Sequence, residues 1–194
     1  MTQDSVTPKA ENIAAEVTRA AKKGPPPVHL WNPPYCGEID MRIARDGQWY
    51  YLGTPIGRQP LVDLFSSILK REDDHYYLVT PVEKVGITVD DAPLFAWDVE
   101  VEGEGRDQTL TFTTRTGDVV TAGPGHAIEV TRDSETGEPS PYIHIRRGLY
   151  ARIDRKTFYR LVDIGTQEPL DGEPWFGLWS RNMFFPMIPA ADLP

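Results

Sequence analysis

The chain has 194 residues, 40% of them hydrophobic and 25% charged, and a formal net charge of −9. This composition lies far from the low-hydrophobicity, high-charge signature of disorder, so a real core is expected in one large domain or two small ones. The negative balance excludes a whole surface that attracts nucleic acid or anionic membrane, leaving only local patches for such partners.

Residues 11–23, ENIAAEVTRAAKK, predict a weakly amphipathic helix with Ile13, Val17 and Ala20 or Ala21 at helical spacing. The proline-rich GPPPVHLWNPP that follows predicts an extended connector, because each proline fixes φ and removes a backbone donor. The opening MTQDSVTPKAENIAAEV has neither a basic nor an apolar leader region, and Cys36 is the single cysteine. No apolar run approaches the roughly 20 residues that span a bilayer. A cytoplasmic protein is expected, not a membrane protein.

From Ile39 the texture changes. Ile39, Met41 and Ile43 alternate, Asp46-Gly47 signals a hairpin turn, and Trp49 to Leu52 reads as the return strand. PLVDLFSSILKR then predicts a helix with Pro60 in its first turn and Leu61, Leu64, Phe65 and Ile68 on one stripe. HYYLVT, apolar on both faces, reads as a central buried strand.

The same order returns downstream. Tyr142, Ile143 and Ile145 precede a turn at Arg147-Gly148, and Leu149, Ala151 and Ile153 form the return strand. Asp154 is a candidate N-cap for a helix with Phe158, Leu161 and Val162 on one face, and WFGLWS answers HYYLVT. The reading is an α+β protein of two domains built on a repeated strand-strand-helix-strand unit, with chance recurrence of a common motif as the alternative. Between the copies, PLFAWDVEVEG, QTLTFTTRTGDVVTAG and GHAIEVTRD predict antiparallel strands. The expected divisions are 1–33 for the first helix and connector, 34–91 for an N-terminal domain, and 92–194 for a β-rich C-terminal domain. The tail NMFFPMIPAADLP is expected to lie extended across a surface, since Pro186 and Pro189 forbid a helix.

Within YYLVTPVEKVGITVDD, Glu83 shares the parity of Val85, Ile87 and Val89. An unbroken strand would carry its carboxylate to the core and require an arginine or lysine partner. Alternatively, Pro81 or a bulge shifts the register and exposes it. Charge is also segregated. Arg146, Arg147, Arg152, Arg155, Lys156 and Arg160 stand against a single acid, Asp154, whereas residues 90–107 are strongly acidic. A basic segment leading into a helix N-terminus can bind an anion, and it can equally be a solvated face neutralised by acidic strands.

Recognised chemistry is otherwise sparse. His29, His75, His126 and His144 lack metal-ligand spacing, GTPIG and GPGH lack the lysine of a phosphate loop, and no serine occupies a GxSxG elbow. Asp98, Glu100, Glu102 and Gly103 begin like a calcium loop, but Thr109 stands where a bidentate glutamate is needed. Cys36 has acidic neighbours that disfavour a thiolate. No catalytic residue, metal or cofactor is expected.

LFSSILKREDDHYYLVTPVEKVGITVDDAPL, then PYIHIRRGLYARIDRKTFYRLV and GLWSRNMFF, resemble the bacterial family known as domain of unknown function 1285 over about Pro34 to Phe185. The resemblance implies a duplicated two-domain core with antiparallel sheets and a C-terminal domain superficially like a pleckstrin-homology fold. It also implies a ligand pocket at the domain interface and a signalling role. The implied function is a noncatalytic module that senses a small, nucleotide-like anion. A protein-interaction module using the same cleft is the alternative, and an enzyme comes third. Ligand-binding candidates are Thr80, Glu83, Lys84, Arg152, Arg155, Trp179 and Ser180, with Glu83 and Lys84 pairing across the junction with arginines such as Arg152 or Arg155.

Overall fold

The alternation at Ile39, Met41 and Ile43 builds the first long strand of a six-stranded sheet, with those three side chains buried and Glu38, Asp40 and Arg42 exposed on the other face. The computed structural model describes residues 8–20 and 25–193, and the chain divides into two units, Met1–Ala92 and Pro93–Pro194.

In the N-terminal unit the elements are α1 (Ala10–Ala20), β1 (Tyr35–Ile43), β2 (Trp49–Tyr51), β3 (Thr54–Pro55), α2 (Gln59–Ser67), β4 (Leu69–Glu72), β5 (His75–Val79) and β6 (Lys84–Val89). The strands order as β3-β2-β1-β6-β5-β4. The β1–β2 turn is the expected one, with Gly47 at φ 82° and its N–H bonded to the Ala44 carbonyl. Phe65 of α2 stacks on Trp49 at 6.3 Å between centroids, and both are buried with Val62, Ile68, Ile13 and Val17. Helices therefore cover one face of the sheet.

Four expectations change here, and part of a fifth falls outside the described residues. The connector is not wholly extended: Val28–Leu30 form a 3₁₀ turn, anchored by buried Val28. Residues 21–23 of the predicted first helix lie outside the described residues. The helix PLVDLFSSILKR stops at Ser67, because the stretch after it finds strand partners: Ile68 accepts from Val79 N–H and Leu69 pairs with Leu78. Its buried residues are Val62, Phe65 and Ser66, with Ile68 buried just past its end, while Leu61 and Leu64 are half-exposed. The run through Glu83 is two strands joined by a turn, where the Thr80 hydroxyl accepts from the N–H groups of Val82 (3.3 Å) and Glu83 (3.1 Å). Glu83 lies in that turn, ahead of β6, and is half-buried.

The sheets are mostly antiparallel, but β1 and β6 run parallel. In the C-terminal unit β12 and β7 do the same. Its elements are β7 (Leu94–Glu102), β8 (Thr109–Thr114), β9 (Val119–Thr121), β10 (Ile128–Arg132), β11 (Pro139–Arg146), β12 (Leu149–Ile153), α3 (Arg155–Asp163), β13 (Thr166–Leu170), β14 (Glu173–Ser180) and β15 (Met183–Pro189). They form a six-stranded sheet, β10-β11-β12-β7-β8-β9, and a three-stranded one, β13-β14-β15. The core holds Leu110, Phe112, Ile143, Leu149, Leu161, Leu178 and Phe185, all buried.

Asp154 caps α3, accepting from Thr157 N–H at 2.6 Å, and the buried face is Thr157, Phe158 and Leu161, with Val162 left exposed. The apolar tail is extended as a hydrogen-bonded strand, but past Pro189 it closes in a short 3₁₀ turn, Ala190–Asp192, which the prolines upstream do not prevent. Pro186 is accommodated because β15 is an edge strand and carries an extra residue, Met187, at the register shift opposite Phe176/Gly177. No helix among the described residues is long and apolar enough to cross a membrane.

Candidate functional site

The sheet face of the N-terminal unit that the helices leave uncovered gathers aromatic rings and charge in one place. Parallel pairing sets Tyr35 beside Lys84 and Glu38 beside Gly86. Antiparallel pairing sets Tyr77 opposite Gly86 and Lys70 opposite Tyr77. Because opposed residues share a face, Tyr35, Glu38, Tyr77, Lys84, Lys70 and Glu72 form one constellation. The rings of Tyr35 and Tyr77 meet edge to face at 6.1 Å. Lys84 passes over the Tyr77 ring at 4.9 Å and reaches Glu72 Oε2 at 2.7 Å, while Lys70 holds Oε1 at 2.9 Å. At the other end the Tyr35 hydroxyl donates to Glu38 Oε1 at 2.5 Å. Glu38's carboxylate lies so close over Gly86 that a Cβ there would overlap it.

The electrostatics follow from these contacts. Bonds from Lys84 and then Lys70 hold the Glu72 carboxyl below its ordinary range. The Tyr35 phenol is pushed up to about 12, chiefly by its bond to Glu38, so it remains a donor at physiological pH. Two ammonium groups on one carboxylate leave the Lys70–Glu72–Lys84 end net positive. Lys84 is only 17% exposed, which strengthens its field relative to a fully solvated lysine. Such an arrangement can hold an anion beside a stackable ring.

Family models match both units: the N-terminal domain of DUF1285, a domain of unknown function, at residues 26–92, and the C-terminal domain of the same family at residues 93–187. The chain belongs to the DUF1285 family. A crystal structure of a DUF1285 protein from Silicibacter pomeroyi has 61% sequence identity and a TM-score of 0.84, covering 93% of this chain and 96% of that one. Another, from Shewanella baltica, has 32% identity and a TM-score of 0.50, covering 63% of this chain and 90% of that one. None of the curated proteins compared matches. All six constellation residues of this DUF1285 chain fall within the N-terminal family match.

Of the residues singled out in this DUF1285 sequence, Lys84 alone belongs to the constellation. Thr80 is fully buried, its hydroxyl occupied by the turn. Glu83 is half-buried with no basic side chain in salt-bridge range among the described residues. Burial raises its pKa, and the Glu16 carboxylate of α1 raises it further. Arg152 lies on β12 between Tyr142 and Phe95. Arg155, at the start of α3, donates from Nε to the Tyr159 hydroxyl at 3.0 Å.

Trp179 donates from its indole to Glu168 at 3.0 Å and stacks under Arg106 at 4.6 Å. Ser180 is fully buried, donating to the Ala122 carbonyl at 2.8 Å and accepting from Leu110 N–H at 3.1 Å. The basic segment is partly neutralised by acids of its own unit, Arg146 by Asp118 and Arg160 by Asp98 at 2.5 Å. The N-terminus of α3 already holds the Asp154 carboxylate, which fills the place an anion would take.

Tyr35, Glu38, Lys70, Glu72 and Tyr77 escaped sequence reasoning. The β4–β5 hairpin carries the one legible signal, the Asp73-Asp74 turn that folds Lys70 back opposite Tyr77. The parallel β1–β6 pairing, which supplies Tyr35 and Glu38, has no turn to announce it. Among the described residues no three histidine, cysteine, aspartate or glutamate side chains group as metal ligands. The Nδ1 atoms of His126 and His144 each lie about hydrogen-bond distance from a carbonyl, 3.0 and 2.9 Å, and so act as donors there. Glu100 and Glu102 of the calcium-like segment are exposed on a strand.

Proposed function

We propose that this chain is a noncatalytic sensor that binds a small, anionic, nucleotide-like ligand and relays its presence in signalling. The ligand occupies the tyrosine–lysine face of the N-terminal unit. The observation that carries this reading is the pair of lysines fixed on Glu72 beside two tyrosine rings. A phosphate is drawn to the excess ammonium charge, and a base stacks on Tyr35, which is 53% exposed. Such stacking contributes about 1–3 kcal/mol.

The test is thermal unfolding with guanosine and adenosine 5′-monophosphates, and with inorganic phosphate and the unphosphorylated nucleosides as controls. At one hundred times its Kd a ligand stabilises by about 2.7 kcal/mol, a rise of roughly 5–10 °C for a chain of this size. Lys84→Met should abolish that rise while remaining folded. Failure of both mononucleotides to shift the transition overturns the reading, and a co-purifying protein would then favour an interaction module.

We also infer that the two units descend from one duplicated element. The successions β1-β2-β3-α2-β4-β5-β6 and β11-β12-α3-β13-β14-β15, alike but for the two-residue β3, support this, as does the nine-residue length of both helices. The pleckstrin-homology likeness of the C-terminal unit is a proposal of the same kind, supported by its two sheets and single helix.

A further inference from the structure

We propose that Glu38 makes this face selective for a guanine base over an adenine base. The inference rests on the ligand reading above and concerns only the base. Glu38 sits where Gly86 removes any side chain beneath it, tethered through Oε1 by the Tyr35 hydroxyl. An ionised carboxylate offers about four lone-pair sites. The tyrosine takes one, and among the described residues no other bond to Glu38 is present, so both oxygens retain acceptor capacity.

The ring that tethers this carboxylate is also the exposed ring on which a base stacks. A base lying on Tyr35 therefore brings its edge to a carboxylate held in place, and the carboxylate can pair only with donors. Guanine presents two parallel donors, N1–H and the N2 amino group, which match the two oxygens. Adenine presents one donor, at N6, next to the N1 lone pair, which the carboxylate repels. The phosphate end is also placed suitably. Glu38 lies over β6 and Glu72, with its two lysines, lies on β4. Two strand spacings separate them, about 10 Å, which is commensurate with a mononucleotide lying across β5 and the Tyr77 ring.

A bidentate pair of this kind discriminates by roughly 10- to 100-fold. The experiment is isothermal titration of the full chain with guanosine 5′-monophosphate and adenosine 5′-monophosphate, repeated on Glu38→Gln. Circular dichroism and the melting transition verify that the variant is folded. Guanosine monophosphate binding at least about tenfold tighter than adenosine monophosphate, with Glu38→Gln erasing or reversing the preference, is the expected result. Equal affinity for the two, or a guanine preference that survives Glu38→Gln, overturns the inference while leaving the sensor reading intact. No binding of either nucleotide overturns both.

Discussion

The carboxylate of Glu38 rests directly over Gly86, in space that any other residue at position 86 would fill. The obstruction is the far end of an exposed side chain tethered by one hydrogen bond, so a substitution can be accommodated by swinging Glu38 away. Gly86→Ala should therefore change stability by less than about 1 kcal/mol, the gain in unfolded-state restriction offsetting the local shift. It should break the Tyr35–Glu38 bond, and the Tyr35 phenol should fall from about 12 toward the ordinary tyrosine value of about 10. Carbon-13 NMR titration of labelled tyrosine resolves the eight tyrosines individually. A Tyr35 titration left unmoved in the variant would show that Glu38 does not depend on the glycine.

The two glutamates of opposite shift provide a pH test. Glu83 is raised, first by burial and then by Glu16. With the folded value above the unfolded one, its charge costs stability at neutral pH, and the cost disappears as pH falls through the folded pKa. Glu83→Gln should thus raise the melting temperature at pH 7 by no more than about 4 °C, with the gain shrinking toward pH 4. Glu72 is lowered by Lys84 and Lys70. Its contribution is present above the unfolded carboxyl pKa and is lost as pH falls through the folded one, so Glu72→Gln should lower the melting temperature at pH 7 and converge with wild type in acid. Parallel pH profiles for the two variants would contradict these assignments.

What the sequence disclosed was local. Asp46-Gly47 names its own turn, Asp154 names its cap, and the alternation from Ile39 to Ile43 names a half-buried strand, because each depends on residues a few positions apart. What it concealed was distant. Nothing near Tyr35 indicates Lys84 as its neighbour across parallel strands, and nothing near Glu83 indicates Glu16. Ile68 was misplaced for a related reason: its helical spacing from Leu64 and Phe65 is genuine, but pairing with the following strand outcompetes another helical turn. Glu83 drew attention through its parity, yet the constellation is organised by Lys84, one residue later.

Ser180 separates a structural role from a ligand contact. Its hydroxyl is fully buried and joins the backbone of Leu110 to that of Ala122. Ser180→Ala strands both groups, at a cost of about 1–3 kcal/mol. Urea unfolding should show that loss in the midpoint, and the mononucleotide response per folded molecule should equal that of wild type. A weakened response at unchanged stability would instead return Ser180 to the ligand site.

The Asp154 cap can be tested by a pair of substitutions. Its side chain accepts from Thr157 N–H at 2.6 Å and stands at the positive end of the α3 dipole, where a carboxylate is favourable. Asp154→Ala removes both contributions and should cost about 1 kcal/mol, a fall of roughly 2–4 °C in melting temperature. Asparagine caps nearly as well as aspartate but without charge, so Asp154→Asn should recover most of the loss. Raising the salt concentration should narrow the remaining gap between Asn and wild type, since the dipole contribution is screened and the hydrogen bond is not. If alanine and asparagine prove equally damaging, the charge and not the hydrogen bond holds the start of α3.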